Sequence, residues 1–177
     1  MKIEPNILTE CYVDTLIAKT VLFPQKDYNH KKGCNDVLKQ MRTKFANRAA
    51  FGVIDDDKTV NRFDDFVLLQ KYSEHLKIYK HNSNPHYIVK LGKAAEDFIL
   101  HCAGQCCISL DDYDLPTDIT MLKKITKNIE SLKNSKTKFN NLFLTIKQNQ
   151  NSDFHKLAQW IEMFKANPYE LETKLNN

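Results

Sequence analysis

Glycine and proline are both scarce in this chain of 177 residues, at 4 and 5 respectively. So few turn-forming residues argue against an all-β chain and against long disordered linkers. No stretch approaches the roughly 20 consecutive apolar residues that span a bilayer, so no membrane association is expected. The opening segment "MKIEPNILTE" carries acids and a proline where a secretory signal would place its apolar region, so a cytoplasmic location is expected. Five cysteines, an odd number, suit a reducing compartment better than a disulfide framework. No Gly-rich loop ending in Lys-Ser/Thr is present, which leaves no nucleotide-triphosphate site of that kind. Internal repeats are also lacking.

What is present is the composition of a globular protein, 42% hydrophobic and 27% charged, with a mild net charge of +4. The charge is uneven. Residues 26–48 hold seven Lys/Arg against two acids, and residues 118–150 again hold seven against two. Two basic segments would suit a polyanionic partner, although lysine-rich solvated helix faces produce the same statistic.

Apolar spacing predicts a short strand at 3–9 and a helix over "CYVDTLIAKTVLF" stopped by Pro24. It also predicts a brief strand near Tyr28 and a helix over "CNDVLKQMRTKFANR" capped by Asn35 or Asp36. "AAFGVI" is continuously apolar, as in a strand buried on both faces. "TVNRFDDFVLLQKY" reads as a helix with Val60, Phe63, Val67 and Leu68 inward. "HLKIYKH" and "HYIVKLG" read as strands and "KAAEDFILHCAGQCC" as a helix. The expected architecture is a three-layer α/β sandwich around a mostly parallel sheet of four or five strands, occupying residues 1–115. From 116 to 177, helical periodicity predicts a C-terminal extension of two or three amphipathic helices. In it Ser152 or Asp153 is the cap and Pro168 the stop. Phe154, Trp160, Ile161 and Phe164 form its apolar seam.

The chemistry concentrates in "VIDDDK", where an apolar strand ends in Asp55, Asp56 and Asp57. Like charges this close repel, and burying them without a counter-ion costs several kcal/mol each, roughly. Functional groups of parallel sheets collect at the carboxyl ends of strands. Asp55 and Asp57, two apart on extended backbone, can point the same way, and such hard oxygen pairs suit Mg²⁺ or Mn²⁺. The first predicted strand also ends in an acid, Glu10, which would share that rim if the two strands are neighbours; capping its own helix is the plainer role.

A strand ending in Glu10, a helix, the loop glycine Gly33 of "KKGC", another helix and a strand ending in Asp-x-Asp together resemble the Toprim domain. The likeness covers roughly residues 3–100 and is closest to the OLD-family nucleases and the small Toprim-like proteins of phage defence. It implies metal-dependent phosphoryl transfer, that is, a Mg²⁺- or Mn²⁺-dependent nuclease acting on DNA or RNA. Asp55 and Asp57 would hold the metal, Glu10 would ligate it or act as general acid/base, and Glu96 of "KAAEDFIL" would complete a second metal site. Lys58, His30, Lys31, Lys32 and Gly33 would contact phosphate or nucleic acid. A separately encoded ATPase partner is implied by the resemblance alone. Cys11 stands where the family has glycine after the acid, which also admits a catalytically inactive binding or accessory module.

Two other readings use the same letters. "VIDDDKT" fits the first motif of haloacid-dehalogenase-type phosphatases, with Asp55 as nucleophile, Asp57 as acid/base and Asp111 and Asp112 as the late acidic motif. "HCAGQCC" places His101, Cys102, Cys106 and Cys107 close together but lacks a distant second ligand pair, so buried thiols are expected rather than zinc.

Overall fold

The computed structural model describes residues 6–22, 29–56 and 63–176, with the side chains of Leu22, Asn29 and His30 left out. Among these, strands β1 (Ile7–Thr9), β2 (Asn29–His30), β3 (Ala50–Asp55), β4 (Phe66–Lys71), β5 (Leu76–His81) and β6 (His86–Leu91) form one sheet. Its order is β2-β1-β3-β6-β5-β4. Helices α1 (Tyr12–Leu22), α2 (Cys34–Thr43) and α3 (Ala95–Gln105) accompany it. A 3₁₀ turn at Leu110–Tyr113 leads to α4 (Ile119–Thr126), α5 (Ile129–Asn134), α6 (Lys136–Gln148), α7 (Asp153–Ala166) and α8 (Leu171–Asn176).

The sheet is mixed, which corrects the mostly parallel expectation. β2, β1, β3 and β6 run parallel, whereas β5 is antiparallel to both β6 and β4. The cause is connection length: β4, β5 and β6 follow one another through four-residue turns, which can join only antiparallel neighbours. The expected helix over 59–72 is likewise corrected. Residues 59–62 lie outside the described set, and Phe66–Lys71 is the edge strand β4, with Val67 and Leu68 exposed rather than inward.

Alternation along the strands sorts the core into two faces. Ile7, Phe51, Val53, Tyr87 and Val89 pack with Ile17 of α1, Phe98 of α3, Phe143 of α6 and Trp160 of α7. Leu8, Ala50, Ile54 and Ile88 pack with Val37, Leu38 and Met41 of α2. Helix α2 comes so close that a Cβ at Gly52 would meet Val37 at 3.0 Å, and glycine is the residue that permits it. The apolar stripe of Phe154, Trp160, Ile161 and Phe164 is wholly inside, and Phe164 meets Phe51 at 5.2 Å between ring centroids.

The C-terminal segment holds five helices rather than two or three, because polar side chains start new ones. Asp118 accepts from the Met121 N–H at 2.9 Å, Asn128 from Ser131 at 2.9 Å and the Ser152 hydroxyl from His155 at 3.1 Å. By contrast, α2 begins at Gly33 with no side-chain cap, so neither Asn35 nor Asp36 serves as one. No helix among the described residues is long and apolar enough to cross a membrane.

Candidate active site

Parallel pairing of β1 with β3 brings two strand-end acids together. Glu10 extends the ladder by one residue, its N–H donating to the Val53 carbonyl at 3.1 Å, and its Oε2 accepts the Asp55 N–H at 3.1 Å. The Glu10 carbonyl accepts from Gly33 at 3.2 Å, while Thr9 accepts from Lys31 at 2.8 Å. The turn at 31–33 is thereby stitched to the same rim. Gly33 has φ 101°, a left-handed backbone that disfavours any side chain, although space for one exists.

On the side facing α1, these residues enter a cavity of about 360 Å³. Glu10, Asp55 and Gly33 line it together with Glu96 from the first turn of α3, Lys123 and Thr126 of α4 and Lys127 just after it. Glu96 is buried and accepts a hydrogen bond from the Thr126 hydroxyl. Asp97, its neighbour, turns elsewhere: it accepts the Lys93 N–H at 3.2 Å and stands 3.2 Å from His75 Nδ1.

Asp14 belongs to this rim and was not anticipated from the sequence. Its Oδ2 accepts the Cys11 N–H at 3.1 Å, the returning half of a capping arrangement at the start of α1. Its Oδ1 is buried with no hydrogen-bond partner among the described residues. Desolvation pushes the Asp14 carboxyl well above the ordinary carboxylate range, and the charges of Asp55 and Glu10 push it the same way. Burial likewise drives the Cys11 thiol far up, aided by Asp14, which leaves it no nucleophile. The signal for Asp14 was its place four residues after Glu10, inside an otherwise apolar helix face. Lys123 and Lys127 carried an i, i+4 signal, but nothing local tied them to a strand end 70 residues away.

The remaining anticipated residues separate. Asp56 turns to the other face, where it pairs with Lys77 at 2.7 Å and Lys90 at 3.0 Å. Burial works to raise its pKa, but hydrogen bonds from these lysines outweigh it and hold the carboxyl below its ordinary value. Asp57 and Lys58 lie outside the described residues, as does the side chain of His30. Lys31 lines a different groove, Lys32 is exposed, and neither lines the acidic cavity. Asp111 and Asp112, required by the phosphatase reading, are exposed on the 3₁₀ turn and also do not line the cavity. All five cysteines are free; Cys102 is buried as expected, Cys106 only partly, and Cys107 is exposed.

Among the described residues, no three His, Cys, Asp or Glu side chains converge closely enough to hold a metal ion. Mg²⁺ commonly takes one or two protein carboxylates and keeps its other ligands as water. The Glu10 and Asp55 carboxylates, which line one cavity, are hard oxygen donors of the kind such an ion takes. The donor set fits that group.

Comparison of the chain with protein-family models, with curated proteins and with solved structures finds no match. The Toprim resemblance therefore rests on the residues alone.

Proposed function

We propose that this chain is a Mg²⁺- or Mn²⁺-dependent phosphoryl-transfer protein, a nuclease that hydrolyses phosphodiester bonds of DNA or RNA in the cytoplasm. The supporting observation is that Glu10, Asp55 and Glu96, from three separate elements, line one cavity beside Lys123 and Lys127. Carboxylates alone would repel a phosphate; with two lysines and a cation they accept one. Glu10 and Asp55 would hold the metal, and Glu96 would hold a second. Such an ion, when bound, neutralises the charge that develops on the transferring phosphoryl oxygens. Lys123 and Lys127 draw in the phosphate and stabilise its oxygens. In the alternative to ligating the metal, Glu10, fixed through the Asp55 N–H, would take the proton of the attacking water.

One observation favours a second reading. Among the described residues no three ligands converge at the rim, and Glu96 is engaged by Thr126, which suits a binding module without turnover. The experiment that separates them is cleavage of single- and double-stranded DNA and RNA with Mg²⁺ and then Mn²⁺, comparing wild type with Glu10→Ala. A loss of about 10²-fold or more in the variant is expected if Glu10 is the general base. Absence of cleavage by wild type would favour the binding module, and equal cleavage by both would place the chemistry elsewhere.

A further inference from the structure

The second basic feature lies on the opposite face of the sheet. Lys31, Lys39 and Lys44, with Gln40, Thr43 and Asp36, line a groove of about 390 Å³ along α2. Three lysines against one aspartate leave its lining at +2. No carboxylate lies within ion-pair distance of Lys31, Lys39 or Lys44 among the described residues, whereas Lys71, Lys77, Lys80 and Lys90 are paired. Arg48 adds a further cation at this end, its guanidinium donating to the Lys44 carbonyl at 3.1 Å. Lys31 is partly desolvated and feels the charge of Lys44; both depress its pKa, against the smaller opposing pull of Asp36. An anion in the groove would relieve that repulsion.

Position gives the groove its meaning. Lys31 lines the groove and Gly33, two residues on, lines the acidic cavity. Their Cα atoms are at most about 7.6 Å apart. The turn joining them is fixed to the rim through the Thr9 and Glu10 carbonyls. Lys123 and Lys127 enter the same cavity from the other face of the sheet. Cations thus continue on both sides of the acidic centre, as an extended polyanion crossing the rim requires and a small phosphoester does not.

We propose that the α2 groove is a track for the sugar–phosphate backbone of a nucleic acid, guiding it over the rim into the acidic cavity. The proposal rests on the nuclease reading for what happens in the cavity, but binding in the groove needs no metal. It assigns phosphate contacts to Lys31, Lys39 and Lys44, with Gln40 and Thr43 as neutral donors. Such contacts are insensitive to base sequence.

The test is fluorescence anisotropy of a fluorescein-labelled single-stranded thymidylate oligonucleotide in EDTA. Wild type is compared with Lys39→Gln/Lys44→Gln and with Lys133→Gln/Lys136→Gln, a control that removes two exposed lysines from α5 and α6. The groove variant should bind about tenfold more weakly, and the slope of log affinity against log salt should fall by about 1.4, two single-strand contacts. The control should stay within about twofold of wild type. Circular dichroism of both variants checks that the fold is kept. Unchanged affinity in the groove variant, or equal weakening in the control, overturns the proposal. So does binding to phosphatidylserine vesicles through these lysines with no binding of the oligonucleotide, which would make the groove a lipid contact. Cleavage by wild type with Mn²⁺ is read in a separate assay: groove-dependent binding in EDTA without cleavage sinks the nuclease reading alone, and cleavage with unchanged affinity of the groove variant sinks the track alone.

Discussion

Asp14 shows best what the rim costs when its carboxylates face one another without a cation. It is wholly buried, one oxygen has no partner among the described residues, and Glu10 and Asp55 add their charges to the desolvation. Asp14→Asn keeps an oxygen to accept the Cys11 N–H and removes the charge. At neutral pH without metal it should therefore stabilise the fold, by about 1–2 kcal/mol. Thermal unfolding in EDTA tests this, and a lower melting temperature in the variant would show that the charge is already offset. Added Mn²⁺ should then raise the melting temperature of wild type more than that of Asp14→Asn. At this scale the sequence was informative where a rule of position applied. Glu10 and Asp55 end parallel strands and Glu96 opens a helix, and each of those could be read locally. The partners of Asp56 could not, because Lys77 and Lys90 reach it only through the pairing of β5 and β6.

The helices and strands divide the same way. Helices α1, α2 and α3 and strands β1, β3, β5 and β6 are legible because their apolar spacing is local. Strand β4 was not. Phe63, Val67 and Leu68 are spaced as on a helix, but antiparallel pairing with β5, from Phe66↔His81 to Lys71↔Lys77, decides its state. The turn between β5 and β6 has a titratable consequence. His81 Nδ1 accepts the N–H groups of Ser83 and Asn84 at 3.1 and 3.2 Å, so protonation there would break both bonds. His86 is fully buried, with its Nε2 2.9 Å from the Phe45 carbonyl oxygen. Desolvation lowers the pKa of both, and His86 lowers that of His81 further. The folded values thus lie below the ordinary 6.5. The unfolded chain takes up protons that the folded hairpin refuses. The contribution of these histidines is complete above about pH 6.5 and declines as pH falls from there toward the folded values, by at most about 1.4 kcal/mol per pH unit for each. Thermal unfolding between pH 7 and 5 should show this decline in wild type and a shallower one in His86→Gln. Identical slopes would remove the histidines from the account.

Across the molecule, the C-terminal helices pack on the sheet and share its core. Their residues Phe139, Leu142, Phe143, Phe154, Trp160 and Phe164 belong to the same apolar cluster as Phe51, Val53 and Val89 of the central strands. Asp153, read from the sequence as a helix start, is a buried anchor that accepts from Ser73, from Gln105 Nε2 at 2.7 Å and from His101 Nε2 at 3.2 Å. It ties α7 to α3 and to the turn before β5. This sharing sets the position of the site, because α4, which carries Lys123 and Lys127 to the cavity, is held only if the helical half packs against the sheet. Folding should therefore be a single transition in urea, with fluorescence of Trp160, the one tryptophan, coinciding with far-ultraviolet circular dichroism. Phe164→Ala removes the ring that meets both Phe51 and Tyr87 and should lower the stability of the whole chain by about 3–5 kcal/mol. Both signals should move together. If the fluorescence midpoint alone shifted, the helices would be folding separately, and the two lysines at the cavity would be an accident of docking rather than part of the site.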